Sequence, residues 1–99
     1  PVLTYGPAVQ NNLLKFIINQ AKKNKIDFQR LAASRSTGTD TDAFAYSNMG
    51  VASALISLPL RYMHTTVEMC SKNDVNSVIE LIYQTIISLK KDQTFNYLK

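Results

Sequence analysis

His64 is the residue whose type and position are best suited to chemistry, since it could serve as a metal ligand or as a general acid or base. It lies in the polar segment 60–66, directly after an apolar run that ends at Pro59. Ligands and catalytic groups of open α/β sheets lie beyond strand ends, so this position favours a functional role. A single histidine is also often a surface or structural residue. From the residues alone, both interpretations stay open.

A complete metal site is not expected within the chain. Zinc sites use three or four protein ligands, and the remaining candidates are Asp40, Asp42, Glu68 and Cys70. None of them forms an HExxH or CxxC spacing. The single cysteine cannot form an internal disulfide, which indicates a reducing, cytoplasmic location.

Asp40 and Asp42 form a second candidate cluster in the segment 38–42. Both are suited to helix capping and Asx-turns, and that structural role is the simpler interpretation. Asp40 and Glu68 could alternatively form the pair of carboxyl groups that a glycosidase holds roughly 5 to 9.5 Å apart. The chain contains no tryptophan that could stack on a sugar. Arg61 could bind a substrate carboxylate, or hold its own loop together through Glu68.

The hydrophobic pattern predicts alternating strands and helices, and hence a layered α/β sheet. Lys90 to Lys99 is expected to be frayed, and no linker or repeat divides the chain. The predicted elements are an extended segment at 1–5, a helix at 9–21, a strand at 26–33, a short helix at 43–48, a strand at 51–58 covered on both faces, a brief extended segment at 67–70, and a helix at 75–89 whose buried stripe is Val75, Val78, Ile79, Ile82, Ile86 and Leu89.

Composition excludes several classes of protein. Apolar residues make up 45% and charged residues 18%, as expected for a folded globular domain. The net charge of +4 comes largely from lysines near helix ends and the chain end, without interleaved aromatic residues, so nucleic acid is not an expected partner. No apolar stretch approaches the ~20 residues of a membrane span. The chain starts at Pro1, which suggests that it was cut from a longer protein.

Two motifs carry a family resemblance. Gly38-Thr39-Asp40 is followed by Gly50-Val51, and an apolar strand then leads into Pro59-Leu-Arg61-Tyr-Met-His64-Thr-Thr-Val-Glu68. This arrangement resembles the end of the self-compartmentalising tetrahedral aminopeptidases, which include glutamyl, leucyl and deblocking aminopeptidases, some of them labelled cellulase or endoglucanase M. Nearly the whole chain is covered, because Gly6-Pro7 before a helix and the closing helix also match.

The resemblance implies an α/β fold, a partial three-layer sandwich that forms the C-terminal part of a zinc-peptidase-like mixed sheet with flanking helices. It implies that residues 1–99 are a C-terminal fragment of a metallopeptidase catalytic domain without an internal boundary. It also implies a hydrolase with two zinc or cobalt ions that removes N-terminal residues from peptides and forms homo-oligomers. His64 corresponds to the family's last metal ligand. Gly38, Thr39, Asp40 and Arg61 would lie near the substrate cleft, with no ligand role for either aspartate.

Other parts of the family pattern are missing. Thr65-Thr66 replaces Ser-Pro, which is expected to leave the loop less rigid, and Ala52 replaces a proline. The remaining metal ligands and the glutamate base belong upstream of Pro1, so the isolated chain is expected to bind metal weakly and to be inactive. Two alternatives remain: a small α/β interaction module without catalytic function, and a fragment of a glycoside hydrolase (endoglucanase).

Overall fold

The computed structural model describes residues 1–98, which form three strands and three helices. In chain order these are β1 (Val2–Tyr5), α1 (Asn11–Lys23), β2 (Gln29–Ala32), α2 (Thr41–Phe44), β3 (Ile56–Ser57) and α3 (Lys72–Ile87). The chain is therefore an α/β protein with flanking helices, which confirms the predicted fold class. No helix within residues 1–98 is both long and apolar enough to cross a membrane.

The sheet is mixed and has the strand order β2-β1-β3. Strand β1 runs parallel to β2, with Val2 beside Gln29 and Tyr5 beside Ala32. It runs antiparallel to β3, with Val2 beside Ser57. The carboxyl ends of β2 and β3 consequently lie at opposite edges of the sheet.

Helix α1 covers one face of this sheet and forms most of the core. Leu14, Ile17 and Ala21 recur at helical spacing and are buried against Leu3 of β1. At the amino end, the side-chain oxygen of Gln10 accepts a hydrogen bond from the Leu13 N–H at 2.7 Å, which satisfies one free donor of the first turn. Lys22 and Lys23 lie in the last turn, where the helix dipole favours cations.

Helix α3 packs beside α1, and the predicted buried stripe is wrong for most of its members. Its buried residues are Leu81 and Thr85, and the Ser88 hydroxyl bonds Gln20 of α1 at 3.0 Å. Helix α3 carries apolar side chains on two faces, and only one of them contacts α1. The members of the stripe that remain exposed are Ile79, Ile82, Ile86 and Leu89.

Strand β3 is much shorter than the predicted strand 51–58, and it is not covered on both faces. Val51 and Leu58 are exposed, and only Ile56–Ser57 is assigned to the strand. The Ser53 carbonyl instead accepts a hydrogen bond from the Gln10 N–H at 2.8 Å, so the first half of the segment runs past the amino end of α1. An apolar run without alternation did not distinguish strand from coil.

Residues 95–97 are docked on α1, contrary to the expectation that Lys90 to Lys99 would be frayed. Lys99 lies outside the described residues. The Phe95 ring contacts the Phe16 ring of α1 edge to face, with centroids 5.6 Å apart. The Phe95 carbonyl accepts hydrogen bonds from the side chains of Gln10 and Asn12. The Tyr97 hydroxyl accepts the Asn11 N–H at 2.7 Å. The Tyr97 hydroxyl thus satisfies one backbone donor of the first turn of α1, and the Phe95 carbonyl binds two side chains at the same end of the helix.

Candidate functional site

The segment Arg61–Met69, called here the His64 loop, begins four residues after β3 and is closed at its base by backbone pairing. The Arg61 N–H donates to the Met69 carbonyl at 2.9 Å, and the Met69 N–H donates to the Arg61 carbonyl at 3.1 Å. Pro59 cannot donate to a strand ladder, which is consistent with the end of β3 just before it. Of the brief extended segment predicted at 67–70, only Met69 is paired, through this isolated bridge, and Val67 lies in a turn.

The interior of the loop contains two residues in the left-handed region. Tyr62 has φ 57° and His64 has φ 63°, values that residues other than glycine adopt infrequently. Two side chains brace these positions. The Glu68 carboxylate accepts a hydrogen bond from the His64 backbone N–H, and the Thr65 hydroxyl donates to the Tyr62 carbonyl at 2.6 Å. Thr65, which stands where the family pattern has serine, therefore contributes a contact that holds the loop.

His64 and the rest of its loop are exposed, so the imidazole is free to contact groups outside the loop. Within residues 1–98, no three His, Cys, Asp or Glu side chains are close enough to hold a metal ion together. Glu68 already engages the His64 backbone. The described residues thus offer one imidazole donor and do not form a complete metal centre by themselves. That further ligands lie elsewhere in a longer protein stays a prediction.

The second candidate cluster is organised around Asp42. Its carboxylate accepts hydrogen bonds from the Thr37 N–H at 3.0 Å, the Thr37 hydroxyl at 2.9 Å and the Gly38 N–H at 3.1 Å. The Thr37 backbone N–H is the main cause that lowers the pKa of Asp42, because donated hydrogen bonds favour the charged carboxylate. Asp42 therefore closes the loop that precedes α2.

Asp40 occupies the position before α2, but its side chain makes no capping hydrogen bond. Its neighbour Thr39 contacts the Thr37 hydroxyl at 2.6 Å. Gly38 has φ 69°, a conformation that glycine adopts without strain. The predicted capping and turn chemistry is therefore present at Asp42, and the Asp40 carboxylate is left available.

Arg61 and His64 lie in the same loop, whereas residues 38–40 follow a strand that ends at a different part of the sheet. Strand β2 ends beside Tyr5, whereas β3 ends beside Val2 at the opposite end of β1. Each predicted site segment starts from one of these edges. Among residues 1–98, no hydrogen bond joins the two segments. A shared substrate cleft stays a prediction for Gly38, Thr39 and Asp40.

Arg61 lines an open cavity of about 460 Å³ next to the base of the His64 loop, together with Cys70, Ser71 and Asp74. Its backbone, rather than a contact of its side chain with Glu68, closes the loop. The guanidinium therefore remains a candidate group for binding a carboxylate.

The sequence indicated Glu68 only as a carboxylate and did not reveal its contact with His64. The one available signal was the spacing of four residues inside a polar loop. Such a spacing has a defined meaning on a helix, but not in irregular backbone.

Comparisons with known proteins agree on one family. The family model described as M42 glutamyl aminopeptidase matches residues 2–81. Lysyl aminopeptidase of Pyrococcus furiosus is 38% identical over 90 residues, which cover 91% of this chain and 26% of that protein.

Solved structures give the same result. A TET aminopeptidase from the marine sediment archaeon Thaumarchaeota archaeon SCGC AB-539-E09 superposes with a TM-score of 0.83 and 29% identity, over 92% of this chain and 26% of the other. A structure provisionally described as a peptidase/endoglucanase gives a TM-score of 0.73 and 34% identity, over 90% and 27%. The chain thus spans about a quarter of the length of these proteins.

Proposed function

This chain belongs to the M42 glutamyl aminopeptidase family, and we propose that it forms the C-terminal part of the catalytic domain of an aminopeptidase with two divalent metal ions, zinc or cobalt. The proposed substrates are peptides, from which the parent protein removes the N-terminal residue. The family match over residues 2–81 includes both candidate clusters.

In this proposal, His64 is one metal ligand, and the other ligands and the catalytic base come from parts of the protein outside residues 1–99. The observation that carries the assignment is the His64 loop itself. This loop contains the only histidine of the chain, whose side chain is exposed. The loop backbone is closed by the Arg61–Met69 pairing and braced by Glu68, and it lies inside the segment that the family model matches. A ligand held in one geometry loses less entropy when it binds a metal than a mobile one.

His64 would hold one of the two metal ions, which when bound would supply polarisation of the peptide carbonyl and a lower pKa of bound water. This chain would contribute one imidazole ligand to that site. Arg61, at the base of the same loop, could orient a substrate carboxylate through its planar guanidinium. The cleft role proposed for Gly38, Thr39 and Asp40 rests on the family resemblance. It requires a cleft that extends between the carboxyl ends of β2 and β3, which lie at opposite ends of β1.

We further propose that the parent is a cytoplasmic homo-oligomer. The solved relative that is described as a TET aminopeptidase supports the assembly, and the single cysteine supports the location. Apolar side chains left exposed on α3 indicate that part of this chain's surface is covered in the parent, because large exposed apolar patches mark interaction surfaces.

The test is an activity assay on the full-length protein that contains this chain. Aminoacyl p-nitroanilides with acidic, basic and aliphatic residues are supplied with zinc or cobalt, and carboxymethylcellulose is tested in parallel. We expect amine release from at least one aminoacyl substrate and no hydrolysis of cellulose. Sugar release without amine release would support the endoglucanase alternative, and inactivity on all substrates would support an interaction module.

Variants of His64 make the test specific. His64→Asn is the main variant, because asparagine tolerates the left-handed backbone that His64 adopts. Asn48→Asp is the matched control, since Asn48 is also exposed and has φ 52°, a conformation that aspartate tolerates as well. We expect activity to fall at least 100-fold in His64→Asn and to stay within twofold in Asn48→Asp. Equal activity of His64→Asn and wild type would contradict the ligand assignment.

A further inference from the structure

We propose that Glu68 is a positioning residue for His64, acting through the His64 backbone N–H. The inference rests on the proposed function, because a positioning role has meaning only if His64 binds a metal. It adds a residue that makes no contact with metal or substrate in this assignment. The role is to keep the imidazole in the orientation in which it can bind.

The contact joins the base of the His64 loop to its middle. Glu68 precedes Met69, whose backbone is paired with Arg61 at the base of the loop. Its carboxylate reaches back to the His64 N–H, so the base and the ligand residue are connected by one side chain. A backbone N–H bonded to a carboxylate is a charge-assisted hydrogen bond, stronger than one between neutral groups.

The backbone conformation of His64 is unfavourable and requires a stabilising contact. Its φ of 63° lies in a region that is sterically unfavourable for a residue with a Cβ atom. The loop is exposed, so no packed core holds this conformation. Glu68 offsets that cost at His64, whereas the Thr65 hydroxyl acts on the carbonyl of Tyr62, the other residue in the left-handed region.

Loss of the Glu68 carboxylate should therefore lower the population of the loop conformation that can bind the metal ion. Without the carboxylate, the His64 backbone occupies its present conformation for a smaller fraction of the time, and the apparent affinity for the ion falls by that fraction. Groups that orient metal ligands typically change affinity about 10- to 100-fold when they are removed. We expect Glu68→Ala to weaken metal binding about 10-fold. Glu68→Gln, which keeps an oxygen acceptor, should remain within about threefold of wild type.

The experiment uses the full-length protein and two measurements that do not depend on activity. Zinc affinity is measured by competition with a chelator. Amide hydrogen exchange is measured without metal on peptides that cover residues 60–70. In Glu68→Ala, exchange at the His64 amide should accelerate at least 10-fold, since that amide loses its acceptor. Glu80→Ala is the control, because Glu80 is an exposed glutamate on α3 bonded to Gln84 at 2.8 Å, outside the loop.

The possible outcomes separate the two proposals. If His64→Asn leaves zinc affinity unchanged, the ligand assignment is wrong, whatever Glu68 does. If His64→Asn weakens binding but Glu68→Ala changes neither affinity nor exchange, the positioning role is wrong and the ligand assignment stands. Faster exchange in Glu68→Ala with unchanged zinc affinity also overturns the positioning role, because it shows a contact that is only structural. Equal effects of Glu68→Ala and Glu80→Ala on affinity would do the same.

Discussion

The carboxylate of Glu68 accepts a hydrogen bond from the backbone N–H of His64, four residues earlier in the same exposed loop. The conformation of the only histidine is thus set by neighbours within nine residues of chain, between Arg61 and Met69. It does not depend on the core beneath α1. For this reason, variants of the loop and variants of the core should have separable effects.

Substitutions on α3 should distinguish its buried face from its exposed face. Leu81 is fully buried in the core cluster, so Leu81→Ala should lower the free energy of unfolding by about 2 to 5 kcal/mol. Ile86 lies 60% exposed on the same helix, and Ile86→Ala should change it by less than about 0.5 kcal/mol. Urea unfolding of this chain measures both values. A loss at Ile86 as large as that at Leu81 would mean that the second face is covered, for example by self-association.

The docked segment 95–97 should contribute to stability. Phe95 is partly buried and contacts Phe16, so Phe95→Ala should lower the free energy of unfolding by about 1 to 2 kcal/mol. Leu98→Ala is the control, because Leu98 is 94% exposed and should have no measurable effect. Thermal unfolding followed by circular dichroism compares the two variants. If they have equal midpoints, residues 95–97 do not hold α1.

The loop around Asp42 should loosen in acid. Its pKa is lowered mainly by the hydrogen bond from the Thr37 N–H, so the folded chain binds the Asp42 proton less readily than the unfolded chain. The stabilisation is therefore present above the unfolded pKa of about 3.9 and is lost as the pH falls through the lower folded value. Asp42→Asn should open the loop at pH 7 and make little difference near pH 2.

Amide exchange of Thr37 and Gly38 measures this effect, corrected for the intrinsic dependence of exchange on pH. Asp40→Asn is the control, because the Asp40 carboxylate makes no capping hydrogen bond. A difference between wild type and Asp42→Asn that stays constant from pH 7 to pH 2 would show that the Asp42 charge does not hold the loop.

Sequence periodicity was informative where one face of an element is buried. Helix α1 was predicted at 9–21 and is found at Asn11–Lys23, because its apolar residues lie on a single stripe. The same signal was misleading for α3, where two apolar stripes coexist and periodicity alone does not show which one faces α1. The edge position and antiparallel direction of β3 depend on tertiary pairing, which leaves no local pattern.

At the candidate site, too, the sequence predicted some features and did not reveal others. His64 could be identified from its type, its position after an apolar run and the family motif. The contact with Glu68 could not be predicted, since it depends on a left-handed backbone at His64. Such a backbone is expected at glycine or asparagine, and neither residue stands at this position. Docking of residues 95–97 was likewise missed, because two aromatic residues in a short polar segment do not show which element they contact.

The metal content of the full-length protein tests the central claim most directly. Wild type and His64→Asn would be saturated with zinc, passed through a desalting column and analysed by plasma mass spectrometry, with circular dichroism to confirm that both are folded. We predict two zinc ions per chain in wild type, and a loss of at least half of this content in His64→Asn. Two retained zinc ions in a folded His64→Asn protein would contradict the assignment of His64 as a metal ligand.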